Sequence, residues 1–244
     1  MKYKFEHKKY KDFSLFEENK LPPRAYFIPH SSKTACDDTT YLTERYESKR
    51  VTVLNGEWDF AYFRNIYEVP KSEIDFDRYS FSKVQVPSMW QYTGYEEPFY
   101  VNQRYEFPCD PPNIPEEIPL ESPNKMRLDT DEQVTLYNSI GIYRKKIDIQ
   151  KKDKKRIITF LGVVSCMEIY VNGKYVGYSE GSHNTAEFDV TDILQKGENE
   201  IVVLVYKWCN GSYLEAQDMF RSNGIFRDVY ITEFEDVYVW DMHV

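Results

Sequence analysis

The chain is predicted to fold as an all-β sandwich, because short apolar runs recur at strand spacing, turn residues punctuate them, and aromatic side chains are abundant. The runs at 51–54, 57–63, 83–86, 140–149, 157–161, 166–171, 174–179, 200–208 and 225–232 are rich in Val, Ile, Leu and aromatics, and most are bounded by turn formers, the pattern of strands rather than helices. An aromatic content of 16%, led by 21 Tyr, suits pleated, half-buried surfaces. With 41% hydrophobic and 29% charged residues over 244 positions, the chain reads as a soluble globular protein of one large all-β domain or two small ones.

Taken in order, residues 1–20 mix charges of both signs with Tyr and Phe and read as a flexible or oligomer-docking arm outside the core. The sandwich is assigned to residues 21–235. Pro108, Pro111, Pro112, Pro115, Pro119 and Pro123 bar their stretch from a central sheet and favour an extended path. Lys151-Lys-Asp-Lys-Lys155 is a solvated turn. Asn172-Gly173, between two strand runs, is the strongest local signal: both central positions of a type I′ hairpin need positive φ, which Asn and Gly tolerate. Asp189-Val-Thr-Asp-Ile-Leu194 suits a single helical turn before Lys196-Gly197-Glu198-Asn199 reverses the chain. Glu168, Glu180 and Glu187 read as solvent-facing strand positions. Residues 236–244 alternate once more and stop without a closing turn, which suggests the start of a linker or further domain and hence a fragment.

The balance of 31 basic against 40 acidic residues, net −9, opposes the phosphate neutralisation that nucleic-acid binding needs. Cys36, Cys109, Cys166 and Cys209 show no C-x-x-C spacing and the four His no H-E-x-x-H pattern, so neither a zinc site nor a redox pair is indicated and free thiols are expected. The charged start Met1-Lys-Tyr-Lys-Phe-Glu-His-Lys-Lys-Tyr10 lacks the apolar core of a signal peptide, and no run approaches membrane-spanning length. An intracellular, cytoplasmic protein with no membrane or nucleic-acid partner is expected.

Between the strand runs at 200–208 and 225–232 hangs a polar loop carrying Asn210, Gly211, Ser212, Glu215, Gln217 and Asp218 beside Trp208, Tyr213 and Phe220. That mixture suits a sugar's hydroxyls and its apolar C–H face. The stretch Gly211-Ser-Tyr-Leu-Glu-Ala-Gln-Asp-Met-Phe-Arg221, followed by Gly224-Ile-Phe-Arg-Asp-Val229, resembles the corresponding loop of the glycoside hydrolase family 2 β-galactosidases. Similar family stretches stand in the same order at Leu54-Asn-Gly-Glu-Trp-Asp-Phe60, Val86-Pro-Ser-Met-Trp-Gln91, Phe99-Tyr-Val-Asn102, Gly141-Ile-Tyr-Arg144 and Val171-Asn-Gly-Lys-Tyr-Val-Gly-Tyr-Ser179. The likeness covers about positions 20 to 244; it departs at Ala216, where the family usually has Asp, at Phe220 for Trp, and at Cys209-Asn210.

The resemblance implies the jelly-roll topology of the family's sugar-binding domain, with an immunoglobulin-like domain and then a barrel bearing the catalytic carboxylates downstream. Retaining hydrolysis needs two carboxyl groups about 5 to 5.5 Å apart. Glu215 and Asp218 are the tempting local pair here, but the family's two glutamates lie beyond this segment, so no catalytic residue is expected in this chain. Asp218 matches the family Asp that touches both the sugar and a bound sodium ion; a carboxylate accepts hydroxyl hydrogen bonds and is a hard oxygen ligand. Asn102 matches the family Asn that contacts the galactosyl unit. Taken as isolated residues, both would read as turn formers. Magnesium is implied only for the full-length enzyme, as is a homo-oligomer. Trp90, Tyr100, Tyr213 and Phe220 could border the pocket, with Trp90 and Tyr213 better suited to packing. Arg221 is a candidate to orient Asp218, and Arg227-Asp228 a candidate structural ion pair. The expected role is the non-catalytic sugar-binding domain of an enzyme that hydrolyses terminal β-D-galactosides. The alternatives are the same domain of a β-glucuronidase or β-mannosidase, a free-standing carbohydrate-binding module, or an interaction domain.

Overall fold

Antiparallel pairing organises almost the whole chain. The computed structural model describes residues 1–38, 40–102, 105–118, 136–150, 154–215 and 217–243. The strands are, in order, β1 (Lys2–Tyr3), β2 (Glu17–Glu18), β3 (Val51–Val53), β4 (Gly56–Phe63), β5 (Ile74–Asp75), β6 (Ser82–Val86), β7 (Phe99–Val101), β8 (Glu117–Ile118), β9 (Leu136–Tyr137), β10 (Ile140–Ile149) and β11 (Lys155–Phe160). Then follow β12 (Val163–Val164), β13 (Cys166–Val171), β14 (Lys174–Glu180), β15 (Ala186–Asp189), β16 (Gly197–Tyr206), β17 (Met219–Arg221), β18 (Gly224–Ile225) and β19 (Val229–Phe234). A seven-stranded sheet runs β2-β14-β13-β16-β10-β4-β6 and a four-stranded sheet β15-β11-β19-β3. As expected from the Asn172-Gly173 signal, β13 and β14 pair as a hairpin with Val171 opposite Lys174, and both turn residues have positive φ, 51° and 79°.

The sandwich core lies between the two sheets. Trp58, Phe60, Met167, Ile169, Val171, Ile201, Val203 and Val205 from the larger sheet meet Ile158, Phe160, Phe188, Val229 and Ile231 from the smaller. Side chains alternate across a strand, so Val202, Leu204 and Tyr206 of β16 face away from that core. They too are buried, in a second cluster with Ile140, Ile142, Cys166, Tyr170 and Tyr178. Burial on both faces explains why 201–206 is a continuous apolar run rather than an alternating one.

What covers that outer face corrects the expectation for residues 1–20. Tyr3, Phe5 and Tyr10 are buried in the second cluster, β1 pairs with β5, and β2 is the edge strand of the seven-stranded sheet. The segment is a layer of the fold, not an arm standing off it, because the larger sheet presents a second apolar face that needs cover. The structure also corrects the reading of Glu168, Glu180 and Glu187 as solvent-facing: all three are buried. Each is paired, as buried charges must be. Glu168 accepts from the phenols of Tyr170 (2.8 Å) and Tyr206 (3.1 Å), and Glu180 from that of Tyr178 (2.6 Å). Glu187 takes a bidentate pair from Arg24 (2.8 and 2.7 Å) with the Thr159 hydroxyl at 2.9 Å. Tyr3 extends the pattern, donating to buried Glu200 at 2.7 Å.

Three further expectations meet the structure. Val190 to Leu194 forms a single turn, with the Leu194 N–H on the Val190 carbonyl at 3.0 Å. Residues 237–243 form no strand; Tyr238 instead packs on Phe234 with ring centroids 4.5 Å apart, and Asp241 accepts the Ala25 N–H at 2.8 Å. The proline stretch leaves the sheets, but Phe107, Ile114 and Ile118 return to the second cluster. Pro119 and Pro123, most of the 151–155 turn, and Ala216 lie outside the described residues. All four cysteines are free thiols, Cys166 and Cys209 buried, Cys36 and Cys109 exposed.

Candidate functional site

The polar loop leaves the sheet at Trp208, whose N–H and carbonyl both bond the buried Asn138 side chain, at 2.9 and 3.2 Å. It then makes a 3₁₀ turn over Asn210–Tyr213. Each step of this turn is tied down from the sheet side. Gly211 donates its N–H to Glu180 Oε2 at 2.8 Å, and Asn210 its amide to the Asp12 carbonyl at 2.8 Å. Burial pushes the Glu180 carboxyl up to about 7, against the hydrogen bonds of Tyr178 and Gly211. Tyr213 packs edge-on against Phe107, centroids 5.1 Å apart, and donates to the Asn113 carbonyl. The Glu215 oxygens receive the Ser182 N–H at 2.7 Å and the Ser182 hydroxyl. On the far side of the loop the buried amides of Gln91 and Asn223 are paired at 2.7 and 3.0 Å. Gly224 follows at φ +131°, where a Cβ would come within 2.8 Å of the Tyr143 phenol oxygen and 2.9 Å of the Ser88 carbonyl.

So fixed, the loop's outgoing limb β17 pairs with β7, Met219 opposite Val101, Phe220 opposite Tyr100 and Arg221 opposite Phe99. Asn102 and Asp218 flank the Met219–Val101 pair, one just after β7 and the other just before β17. Period-two alternation then puts Tyr100, Asn102, Asp218 and Phe220 on one face. The structure thus brings together the two residues singled out from the sequence, though 116 positions separate them (218 − 102). Both are exposed. The Tyr100 phenol donates to Asp218 Oδ1 and is hydrogen-bonded by the Asn102 side chain as well; the bond to the Asp218 carboxylate raises the Tyr100 pKa. Phe220 packs against Tyr100 with centroids 5.5 Å apart at 55°.

The other named residues divide. Trp90 is buried against Phe60 and packs, as expected. Arg221 grips the loop backbone, donating to the carbonyls of Glu215 (3.4 Å) and Gln217 (2.7 Å), while Asp218 receives Tyr100. Arg227 and Asp228 are not the pair expected. Arg227 donates to the His183 carbonyl at 3.0 Å, and Asp228 is held by Arg45 and Tyr46 (2.5 and 2.6 Å) and by Asn55 (2.8 Å). Both stand in the connection between β18 and β19, and their side chains are taken by different partners. Burial opposes ionisation of Asp228, but those donors prevail and hold its carboxyl below the usual value.

Behind the ribbon lies a cavity of about 70 Å³ lined by Met89, Glu106, Phe107, His183, Glu215 and Arg221 among others; burial raises the Glu106 carboxyl there. Asn102 and Asp218 do not line it; they stand on open surface. Sequence reading missed the Tyr100 bridge, the Glu180 anchor and the Ser182 clasp on Glu215. The first needs the β7–β17 pairing, which no local pattern encodes. Among the described residues no three His, Cys, Asp or Glu gather into a metal site, and no helix is long and apolar enough to cross a membrane.

The chain is an antiparallel two-sheet sandwich with the separate two-stranded β7–β17 ribbon beside it. Residues 51–234 match the family described as glycosyl hydrolases family 2, sugar binding domain, and the chain belongs to it. Among curated relatives, a β-galactosidase of Actinobacillus pleuropneumoniae is 39% identical over 237 residues, 96% of this chain and 21% of that protein. One of Staphylococcus xylosus is 36% identical over 87% of this chain and 19% of its own length, and one of Oenococcus oeni 37% over 84% and 18%. The chain therefore spans about a fifth of the curated relatives it matches. Among solved structures, a Bacteroides uniformis β-glucuronidase aligns with TM-score 0.51 at 18% identity over 76% of this chain and 18% of that one, a likeness of fold alone.

Proposed function

We propose that this chain is the non-catalytic sugar-binding part of a retaining β-galactosidase, and that it lends Asn102 and Asp218 to an active site completed by a barrel elsewhere in a longer protein. The observation that carries the reading is that Asn102 and Asp218 meet at Tyr100 at one end of the β7–β17 ribbon, exposed rather than sunk in a cavity. An amide and a carboxylate side by side offer donors and acceptors to vicinal hydroxyls, and two such groups on an open surface need a second wall before a sugar is enclosed. The tied Glu215 and the phenol-bonded Asp218 do not make an acid and nucleophile pair, in keeping with chemistry carried out by carboxylates of the barrel. The curated relatives in the 36–39% range are β-galactosidases, which favours a galactoside over a glucuronide as substrate.

Asp218 would serve a sodium ion as one hard oxygen ligand, with the remaining ligands drawn from the barrel, since the described residues hold no complete set. Sodium there would add positive charge beside a sugar hydroxyl; the residues of this chain orient and accept hydrogen bonds. Magnesium, the homo-oligomer and the cytoplasmic setting belong to the full-length enzyme in the same reading. The test pairs two measurements. The 244-residue chain should not hydrolyse a chromogenic β-galactoside, and Asp218→Asn in the full-length enzyme should lower kcat/KM and weaken sodium activation together. Turnover by the chain above a Glu215→Gln, Asp218→Asn control, or full-length Asp218→Asn with near-normal kinetics, contradicts the reading.

A further inference from the structure

We propose that Tyr100 is a positioning residue of this site, its phenol bridging Asn102 and Asp218 and holding both side chains in the arrangement that receives the sugar; the inference rests on the function proposed above.

The phenol carries one proton and accepts through its lone pairs. That proton goes to Asp218 Oδ1, so the Asn102 amide, bonded to the same oxygen, is the donor on the other side. Amide, phenol and carboxylate thus stand together at one end of the β7–β17 ribbon, the phenol between the other two. The ring is itself held, since Phe220 lies directly across the ribbon and packs on it at 5.5 Å. Tyr100 stays half exposed all the same. Without the bridge, Asn102 and Asp218 are exposed side chains free to sample several rotamers, and ordering them on binding would cost affinity. The bridge leaves the second carboxylate oxygen and the Asn102 carbonyl as the groups to be offered outward. Tyr100 therefore acts through Asn102 and Asp218 rather than on the reacting atoms.

The test is Tyr100→Phe in the full-length enzyme, which removes the hydroxyl and keeps the ring on Phe220. It is measured alone and in Asp218→Asn and Asn102→Ala backgrounds. Three readouts are taken: steady-state kinetics, calorimetric binding of a non-hydrolysable thiogalactoside, and melting temperature. Losing one hydrogen bond to a charged group at an exposed site should cut kcat/KM and thiogalactoside affinity by about threefold to tenfold. The melting temperature should stay unchanged, and the loss should vanish in the Asp218→Asn background, where the bridge has already lost its charged end. Wild-type binding and kinetics for Tyr100→Phe beside an impaired Asp218→Asn would overturn the positioning role while leaving the sugar-site reading standing. So would an effect that adds in full to that of Asp218→Asn. If Asp218→Asn and Asn102→Ala both behave as wild type, the site itself is wrong and the role of Tyr100 falls with it.

Discussion

Replacing Glu180 with Gln should change how the stability of this chain depends on pH. Glu180 is buried under the N-terminal layer and anchors the start of the polar loop through the Gly211 N–H. Burial raises its carboxyl from 4.5 to about 7, so between those values the folded chain holds a proton that the unfolded chain has released. Stability from this group is therefore complete below about pH 4.5 and is lost as pH rises through about 7. The gap between 4.5 and about 7, at about 1.4 kcal/mol per pH unit, sets a ceiling of about 3.5 kcal/mol. Glutamine keeps the size and cannot ionise, so the contrast isolates this one carboxyl from the other buried acids. Urea unfolding at pH 5, 6, 7 and 8 measures it: the wild type should lose about 2 to 3 kcal/mol relative to Glu180→Gln across that range. Two stability curves that run parallel within about 0.5 kcal/mol would refute the argument that burial dominates at Glu180.

Arg24→Met should leave the buried Glu187 carboxylate without its bidentate partner, destabilising the chain by about 3 to 5 kcal/mol in urea unfolding; a loss under about 1 kcal/mol would mean that water or Thr159 takes over. Asn102→Ala in the full-length enzyme should lower kcat/KM by about tenfold to a hundredfold, the worth of roughly 1 to 3 kcal/mol in an enclosed site, with the melting temperature unmoved. A fall in melting temperature with intact kinetics would make Asn102 a turn residue.

The strands, the hairpin and the family were legible in the sequence because each rests on local patterning. Asn172-Gly173 demands positive φ wherever it stands, and the apolar run of β16 has to be buried whatever covers it. Asn102 and Asp218 were found by likeness rather than by spacing, since nothing in either local stretch points to the other. What could not be read were facts of pairing across long separations. That Tyr3, Phe5 and Tyr10 form a layer depends on the second apolar face of the seven-stranded sheet, invisible until β16 has neighbours on both sides.

By itself, then, the sequence determined the all-β class, the runs that become strands, the turn at Asn172-Gly173 and the identity of the polar loop, because backbone preference and hydrophobic period act over a few residues. The tertiary structure alone decided which carboxylates are buried. Glu168, Glu180 and Glu187 read as exposed until their faces are covered: Tyr206 and Arg24 then arrive from elsewhere to pair with Glu168 and Glu187, while Tyr170 and Tyr178 pair with Glu168 and Glu180 from two positions along the same strands. It also decided that Asp228 takes Arg45 rather than its neighbour Arg227, and that β7 lies against β17 so that Tyr100 joins Asn102 to Asp218. Burial and long-range pairing are properties of the assembled chain: the free energy of a charged or polar side chain is set by which groups surround it, and those groups are brought close only when the sheets close on each other.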